Sequence, residues 1–293
     1  MQILDGKLVA AKRREALAPK VAEFIKTAHR APQLVVVLIG ENPASQVYVR
    51  NKVKACASVG ILSQTRLLPS SASQAQLMSL LVELNQDPTV DGILVQLPLP
   101  KGLDESQVNK VIDPYKDVDG LSFASLGHLW SGHPLVAPCT PQGVMTLLEH
   151  YQIAIAGKKA VVVGRSTIVG KPMAHLLSSA NATVTLCHSQ TVDLRSYTSA
   201  ADLVVVAAGR PLFLGRQDFR QGAVVVDVGI HGSGSSGGKI CGDVRFDELA
   251  GWAAAATPVP GGVGPMTIAT LLENTLVLAK LRMELVKKTG GAN

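Results

Sequence analysis

Lys159-Ala160-Val161-Val162-Val163-Gly164-Arg165-Ser166-Thr167-Ile168-Val169-Gly170-Lys171-Pro172 is the stretch that decides the fold. A β-branched run with no polar alternation predicts a strand buried on both faces. A tight glycine turn follows it, and then an apolar helical pattern. Strand, glycine turn and helix N-terminus together are the context of a phosphate-binding turn. The spacing is not G-x-G-x-x-G, because Ser166 stands where the second glycine belongs. Further strands are predicted at Thr183–Cys187, Leu203–Ala207 and Ala223–Val228, and a long amphipathic helix from about Met266 to Val286. An NAD-binding fold usually closes its second strand, about 20 residues on, with an acid for the ribose 2′-hydroxyl. Here that strand ends Cys187-His188-Ser189. Ser189 suits a 2′-phosphate and Arg165 and His188 its charge, which favours NADP over NAD, while His188 also reads as an ordinary surface histidine.

The first half has the same grammar. Leu34–Ile39 (LVVVLI) ends at Gly40, and Asn42-Pro43 then opens a helix that stops at Gly60. Thr65–Leu68 is a second strand and Ser73 caps a helix to about Leu84. Gly92–Leu97 (GILVQL) is a third strand, closed by Pro98 and Pro100. Alternating strands and helices predict parallel βαβ units with right-handed crossovers. A length of 293 residues suits two domains. The predicted class is therefore α/β with two domains, the boundary falling near Gly120–Pro138, where glycine, proline and histidine interrupt the pattern. Gly232–Gly238 (GSGSSGG) reads as a surface loop, because strand-like sequence resumes beyond it.

Composition narrows the function classes. Lys plus Arg is 28 against 22 Asp plus Glu, a net charge of +6, yet the basic residues are scattered and only 4% of residues are aromatic. A nucleic-acid stacking surface is poorly supplied, so the charge points to an anionic small molecule. No apolar run approaches the roughly 20 residues of a membrane helix. Lys12, Arg13, Arg14 and Lys20 break any signal-peptide core, which predicts the cytoplasm. Cys56, Cys139, Cys187 and Cys241 are far apart, with no C-x-x-C pair. They read as packing residues in a reducing compartment, and no metal site is predicted.

On a helical projection of residues 44–59, Lys52 falls between Val59 and Cys56 inside the apolar sector, with Ser45 and Tyr48 beside it. Such a lysine either snorkels to water or sits partly desolvated with a lowered pKa. Hydroxyl, phenol and amine thus share one stripe, on a helix that begins where a buried strand ends, the edge at which open α/β sheets bind ligands. Gln96, inside an apolar strand end, needs partners. It either holds loop backbone or positions Lys52 or a ligand. In Lys116-Asp117-Val118-Asp119-Gly120, Asp117 suits turn capping and Asp119 suits an amino-bearing heterocycle. Thr257-Pro258-Val259-Pro260-Gly261-Gly262-Val263-Gly264-Pro265-Met266-Thr267 is a stiff loop delivering backbone N–H groups to the last helix.

Five segments, Pro43-Ala44-Ser45-x-x-Tyr48-x-x-x-Lys52, Val95-Gln96-Leu97-Pro98, Lys116–Gly120, Gly164-Arg165-Ser166-x-x-Val169-Gly170-x-Pro172 and Pro258–Thr267, together resemble the bifunctional methylenetetrahydrofolate dehydrogenase/methenyltetrahydrofolate cyclohydrolase family. They occur in that family's order and span nearly the whole chain. The resemblance implies a catalytic folate domain over residues 1–120, joined by the C-terminal helix from about 270 to 293, a Rossmann-like NADP domain over 121–269, and an active site in the interdomain cleft. It implies oxidation of 5,10-methylenetetrahydrofolate with NADP to the methenyl cation, then hydrolysis to 10-formyltetrahydrofolate, usually by a homodimer. Carried onto matching positions, Tyr48 packs on the pterin, Lys52 assists both steps, Gln96 orients Lys52 and Asp119 holds the amino edge. Ser45, Leu97, Pro98, Pro260, Gly261 and Gly262 complete the folate set. Gly164, Arg165, Ser166, Gly170, Pro172, His188, Ser189, Gly209, Ile230 and Thr267 make up the NADP set. The basic charge suits a polyglutamylated folate. His231, after Asp227-Val228-Gly229-Ile230, stands where asparagine is expected, and the adjacent glycine-serine loop is long for the family.

Two rival readings are distinguishable. Tyr48-x-x-x-Lys52 also resembles the pair of short-chain dehydrogenases, but there the pair follows the dinucleotide loop within one domain. Here it precedes Gly164 by more than a hundred residues. A monofunctional dehydrogenase, or a folate-binding protein without turnover, would be marked in the latter case by loss of Lys52, Gln96 or Asp119, and all three are present.

Overall fold

A computed structural model describes residues 1–232 and 240–290. It separates into two compact units. One is Lys12–Cys139 with the chain from Ile268 onward, and the other is Thr140–Thr267 with Met1–Ala11. Relative to a boundary at 120, residues 1–11 thus pass to the second unit and 121–139 to the first.

In the first unit, β2 (Gln33–Ile39), β3 (Leu62–Leu68) and β4 (Gly92–Val95) form a parallel sheet in the order β3-β2-β4. The central strand is buried on both faces, as its uninterrupted apolar sequence requires. Leu34, Val36 and Leu38 pack with Val49, Cys56 and Val59 of α2 (Pro43–Val59), and with Leu17, Val21 and Phe24 of α1 (Gly6–Ala28). Leu271, Leu272 and Leu276 of the last helix, α9 (Val263–Gly290), join them. Val35, Val37 and Ile39 face the other way, onto Leu77, Leu80, Leu81 and Leu84 of α3 (Gln74–Gln86). Those four leucines recur at helical spacing, and burial of each is worth roughly 1.5–3 kcal/mol.

Helix ends are set locally. Asn42 Oδ1 accepts from the Ser45 N–H at 3.1 Å, and Gly60, at φ +83, terminates α2 as expected. Ser73 and Gln76 form a reciprocal capping box. The far end of α3 is closed by Lys116, whose fully buried Nζ donates to the carbonyls of Leu84 at 2.8 Å and Asp87 at 2.6 Å. β3 begins earlier than expected, at Leu62, because the Leu62 N–H donates to Pro32 O and pairing with β2 starts there. β4 stops at Val95 rather than Leu97. The Gln96 N–H still reaches Val37 O at 2.9 Å, but Pro98, after a cis peptide bond, has no N–H to extend the ladder.

The second unit holds a six-stranded parallel sheet ordered β1-β9-β8-β7-β5-β6. Its strands are β1 (Gln2–Ile3), β5 (Lys159–Val163), β6 (Thr183–Cys187), β7 (Leu203–Val206), β8 (Val224–Asp227) and β9 (Ala255–Ala256). β5 and β6 match the sequence expectation, and β7 and β8 fall inside theirs. The two-residue strands β1 and β9, which no pattern announced, pair with each other in register Gln2↔Ala255 and Ile3↔Ala256. The chain leaves β5 to opposite sides through β6 and β7, so β5 is the topological switch point. The segment 233–239, which carries most of the predicted glycine-serine loop, lies outside the described residues. Among the described residues no helix is long and apolar enough to cross a membrane.

Candidate functional site

The first unit places Ser45, Tyr48 and Lys52 on one stripe of α2, as the projection predicted. Ser45 is buried, Tyr48 is exposed and Lys52 is half-buried. Lys52 Nζ donates to Gln96 Oε1 at 3.0 Å, and Gln96 Nε2 donates to Leu97 O at 2.6 Å. One buried amide thus makes both contacts, to Lys52 and to loop backbone. Its NH2 is committed to loop backbone, and its oxygen accepts from Lys52 Nζ. The acceptor is neutral, so the contact is a hydrogen bond and not an ion pair.

Asp119 sits on a backbone held from several directions. The Ile93 N–H donates to Lys116 O at 2.7 Å, beside a parallel bridge between Ile93 and Asp117. Asn274 Nδ2 of α9 donates to Val118 O at 2.9 Å. Asp117 caps the following turn, accepting from the Ser122 N–H at 2.6 Å. Burial pushes the Asp119 carboxyl above its ordinary range. The ammonium of Lys52 opposes that shift and the carboxylate of Asp117 adds to it. Burial, and then the neighbouring Asp119, push the Cys139 thiol well above its usual value. Cys139 was read from sequence as a packing residue, and its place beside Asp119 had no sequence signal. Asp119, Asp117 and Leu97 also line a small cavity of about 20 Å³ against β4.

In the second unit the glycine turn leaves β5 at the switch point. Gly164 has φ +126, and a Cβ there would lie 2.1 Å from Ala207 O; one on Gly170 would lie 2.0 Å from Gly164 O. The turn is thus closed on itself and on the end of β7 in a way only glycine permits. Ser166 Oγ accepts from the N–H groups of Val169 at 3.2 Å and Gly170 at 3.3 Å. Those two amides at the start of α7 (Gly170–Ser179) are engaged within the loop, which refines the helix-terminus reading. Arg165 in the same loop is exposed. The pairing Val163↔Cys187 and the Gly164 N–H to Cys187 O bond at 2.8 Å put Arg165 and His188-Ser189 at the same sheet edge. His188 Nδ1 accepts from the Gln190 N–H at 3.2 Å, and Ser189 is exposed. Pro172 is buried at the start of α7.

Gly209, at φ +66, follows β7, and the half-exposed Ile230 follows β8 and packs toward Gly264. Gly261 O accepts from the Lys7 N–H at 2.9 Å, and the carbonyl of Gly262 occupies the space a Cβ on Gly6 would need. The loop Pro258–Gly262, with the exposed Pro260, is therefore built onto the start of α1. Thr267 Oγ1 lies 3.0 Å from Thr140 Oγ1.

Sequence reasoning missed two buried carboxylates. Asp227 Oδ1 accepts from the N–H groups of Gly229 and Asp243, and its Oδ2 from that of Val244. Burial raises the Asp227 carboxyl to about 6 against those hydrogen bonds. Asp243 in turn holds the turn after β7. The signal available was weak: an acid flanked by glycine and valine, in a sequence poor in acids.

A doubly wound sheet with a glycine turn at its switch point, in a chain that also aims a lysine with a buried amide, defines a two-domain α/β enzyme of the dinucleotide-binding class. Two family models match. The catalytic domain of tetrahydrofolate dehydrogenase/cyclohydrolase covers residues 4–119, and its NAD(P)-binding domain covers residues 138–283. The chain belongs to the tetrahydrofolate dehydrogenase/cyclohydrolase family. It is 60% identical to the bifunctional protein FolD of Bdellovibrio bacteriovorus, over 96% of this chain and 97% of that one. The bifunctional protein FolD of Methanoculleus marisnigri is 53% identical, with the same two coverages. The crystal structure of the bifunctional FolD enzyme of Campylobacter jejuni superposes with a TM-score of 0.92 at 47% identity, covering 96% of this chain and 99% of the other. The Trypanosoma brucei enzyme, solved with NADP cofactor and inhibitor, gives 0.91 at 38% identity, covering 96% and 98%.

Proposed function

We propose that this chain oxidises 5,10-methylenetetrahydrofolate with NADP and hydrolyses the methenyl product to 10-formyltetrahydrofolate. Family membership over both domains supports the two activities, and the Lys52–Gln96 pair carries the reading. NADP supplies the hydride acceptor. Loss of hydride from the methylene carbon removes two electrons and leaves a cation shared between two nitrogens. Water then adds to that carbon and gives up a proton. The bond from the carbon to the pterin nitrogen then breaks as the new hydroxyl gives up its proton to become the carbonyl, and that nitrogen takes a proton, leaving the formyl group on the other nitrogen and one proton released overall. These proton movements need a base and acid within hydrogen-bond reach, and Lys52, aimed by Gln96, is the candidate. Tyr48 offers the pterin an exposed ring and Asp119 an acceptor for its amino edge. Ser45, Leu97, Pro98, Pro260, Gly261 and Gly262 are the remaining folate candidates.

The absence of a 2′-hydroxyl acid, together with Arg165 and Ser189 at one sheet edge, supports NADP over NAD. Gly164, Ser166, Gly170, Pro172, His188, Gly209, Ile230 and Thr267 are the remaining cofactor candidates. The net charge of +6 supports a polyglutamylated substrate. β3, an edge strand with Leu62 and Leu67 exposed, supports a homodimer covering that edge. Free thiols at all four cysteines support the cytoplasm.

Purified protein is mixed with 5,10-methylenetetrahydrofolate and NADP or NAD, following reduced nicotinamide and methenyl absorbance together. NADPH formation with little methenyl accumulation is expected. Turnover with NAD alone would refute the cofactor assignment, and folate binding without turnover would favour a binding protein. Lys52→Met is expected to lose hydrolysis more than oxidation, since a cation is already present when water attacks. Equal loss of both, with folate binding intact, would refute that division.

A further inference from the structure

Among the described residues, the buried carboxylate of Asp243 collects four donors. Its Oδ2 accepts from the N–H groups of Ala208 at 2.6 Å and Gly209 at 3.0 Å, and its Oδ1 from that of Arg210 at 2.9 Å. The fourth is the side chain of His231, with Nε2 2.7 Å from Oδ1. Asp243 is fully buried, and its own N–H is held by Asp227. The cluster is built closely. A Cβ on Gly229 would lie 2.4 Å from Asp243 Oδ1, and one on Gly242 would lie 1.9 Å from Asp227 Oδ2. His231 is in turn fixed by backbone bonds in both directions with Cys241.

The three amides that Asp243 holds are the turn directly after β7. That turn adjoins Gly164, because Ala207 O fills the space beside it. Asp243 therefore sets one wall of the crevice at the switch point, where the glycine turn from β5 forms the other. Among the described residues, three of its partners are backbone and His231 is the one side chain that holds the carboxylate plane from outside the turn.

We infer that His231 is a positioning residue for NADP, acting through Asp243 on the turn Ala208–Arg210. This rests on the reading of the switch-point crevice as the NADP site. An imidazole donor on Oδ1 fixes the carboxylate in the rotation that serves all three amides. Without it, Asp243 keeps its backbone donors but loses the group that fixes its plane, and the turn relaxes away from the nucleotide.

NADP dissociation constants are measured by calorimetry on the whole protein, wild type against His231→Ala and His231→Gln, beside both activities. His231→Ala is expected to weaken NADP about five- to tenfold, less than the roughly ten- to hundredfold of a full hydrogen bond to a carboxylate, because Asp243 keeps its three backbone donors. The KM for NADP should rise in parallel, with kcat at saturating NADP within about twofold. Hydrolysis of the methenyl compound without nucleotide should be unchanged, because it needs no NADP. His231→Gln, whose amide reaches as far as Nε2, is expected to restore wild-type affinity. Equal NADP affinity in wild type and His231→Ala would overturn the inference. So would parallel loss of both activities with a lowered Tm, or failure of glutamine to rescue. A wild-type protein that does not bind NADP would instead overturn the reading on which the inference rests.

Discussion

Gln96→Leu is the sharpest perturbation of the folate-side chemistry. The substitution keeps the apolar volume of a buried position but deletes both polar ends of the amide. It removes the acceptor 3.0 Å from Lys52 Nζ and the donor 2.6 Å from Leu97 O. A hydrogen bond to a charged group contributes about 1.5–3 kcal/mol, and Lys52 is only half-buried, so water replaces part of it. If that orientation is used in the transition state for water attack, the same energy appears in the barrier. Since about 1.36 kcal/mol is tenfold in rate, hydrolysis should fall about ten- to a hundredfold. The assay follows decay of methenyltetrahydrofolate for wild type, Gln96→Leu, Lys52→Met and the double variant. Because Gln96 acts through Lys52, the double variant should hydrolyse no more slowly than Lys52→Met alone, giving a coupling of about 1.5–3 kcal/mol. Additive losses, or wild-type hydrolysis by Gln96→Leu, would refute the positioning role.

Three further outcomes are expected. Lys116→Met removes the lysine donor from the Leu84 carbonyl and leaves the Asp87 carbonyl with the Val90 N–H at 3.3 Å, and it should cost about 1–3 kcal/mol, read by urea denaturation. Gly164→Ala drives a Cβ into Ala207 O at a backbone angle that disfavours side chains. It should weaken NADP binding by about five- to 150-fold, the equivalent of a strain of roughly 1–3 kcal/mol, while nucleotide-free hydrolysis persists. The Asp227 carboxyl should titrate near 6 by carbon NMR, against about 3.9 in an unfolded chain. Because the folded-state value is the higher one, the group's contribution to stability is fully present below about pH 4 and is lost as pH rises through 6. A titration midpoint near 4 would remove that dependence.

Much of the fold was legible because its signals are local. Val161–Val163 and Leu34–Ile39 are β-branched or aliphatic without alternation, which suits a strand covered on both faces, and they form one. Asn42-Pro43, Gly60 and the Ser73 capping box mark helix ends through bonds spanning a few residues. Lys52 was legible as a functional candidate for a similar reason. A charge inside the apolar sector of one helix is visible from the 3.6-residue repeat alone.

Features joined by distant segments were decided only by tertiary structure. β1 is two residues long, too short to carry a period, and exists because Ala255–Ala256 offers an edge more than two hundred residues away. The rotation of Gln96 follows from its pairing with Lys52 across 44 positions, so neither of its sequence readings had priority until the two met. Asp243 is an unremarked acid in sequence. In the structure it gathers the turn after β7 and His231 onto one carboxylate, because a fully buried carboxylate must find donors and only segments distant in sequence bring them.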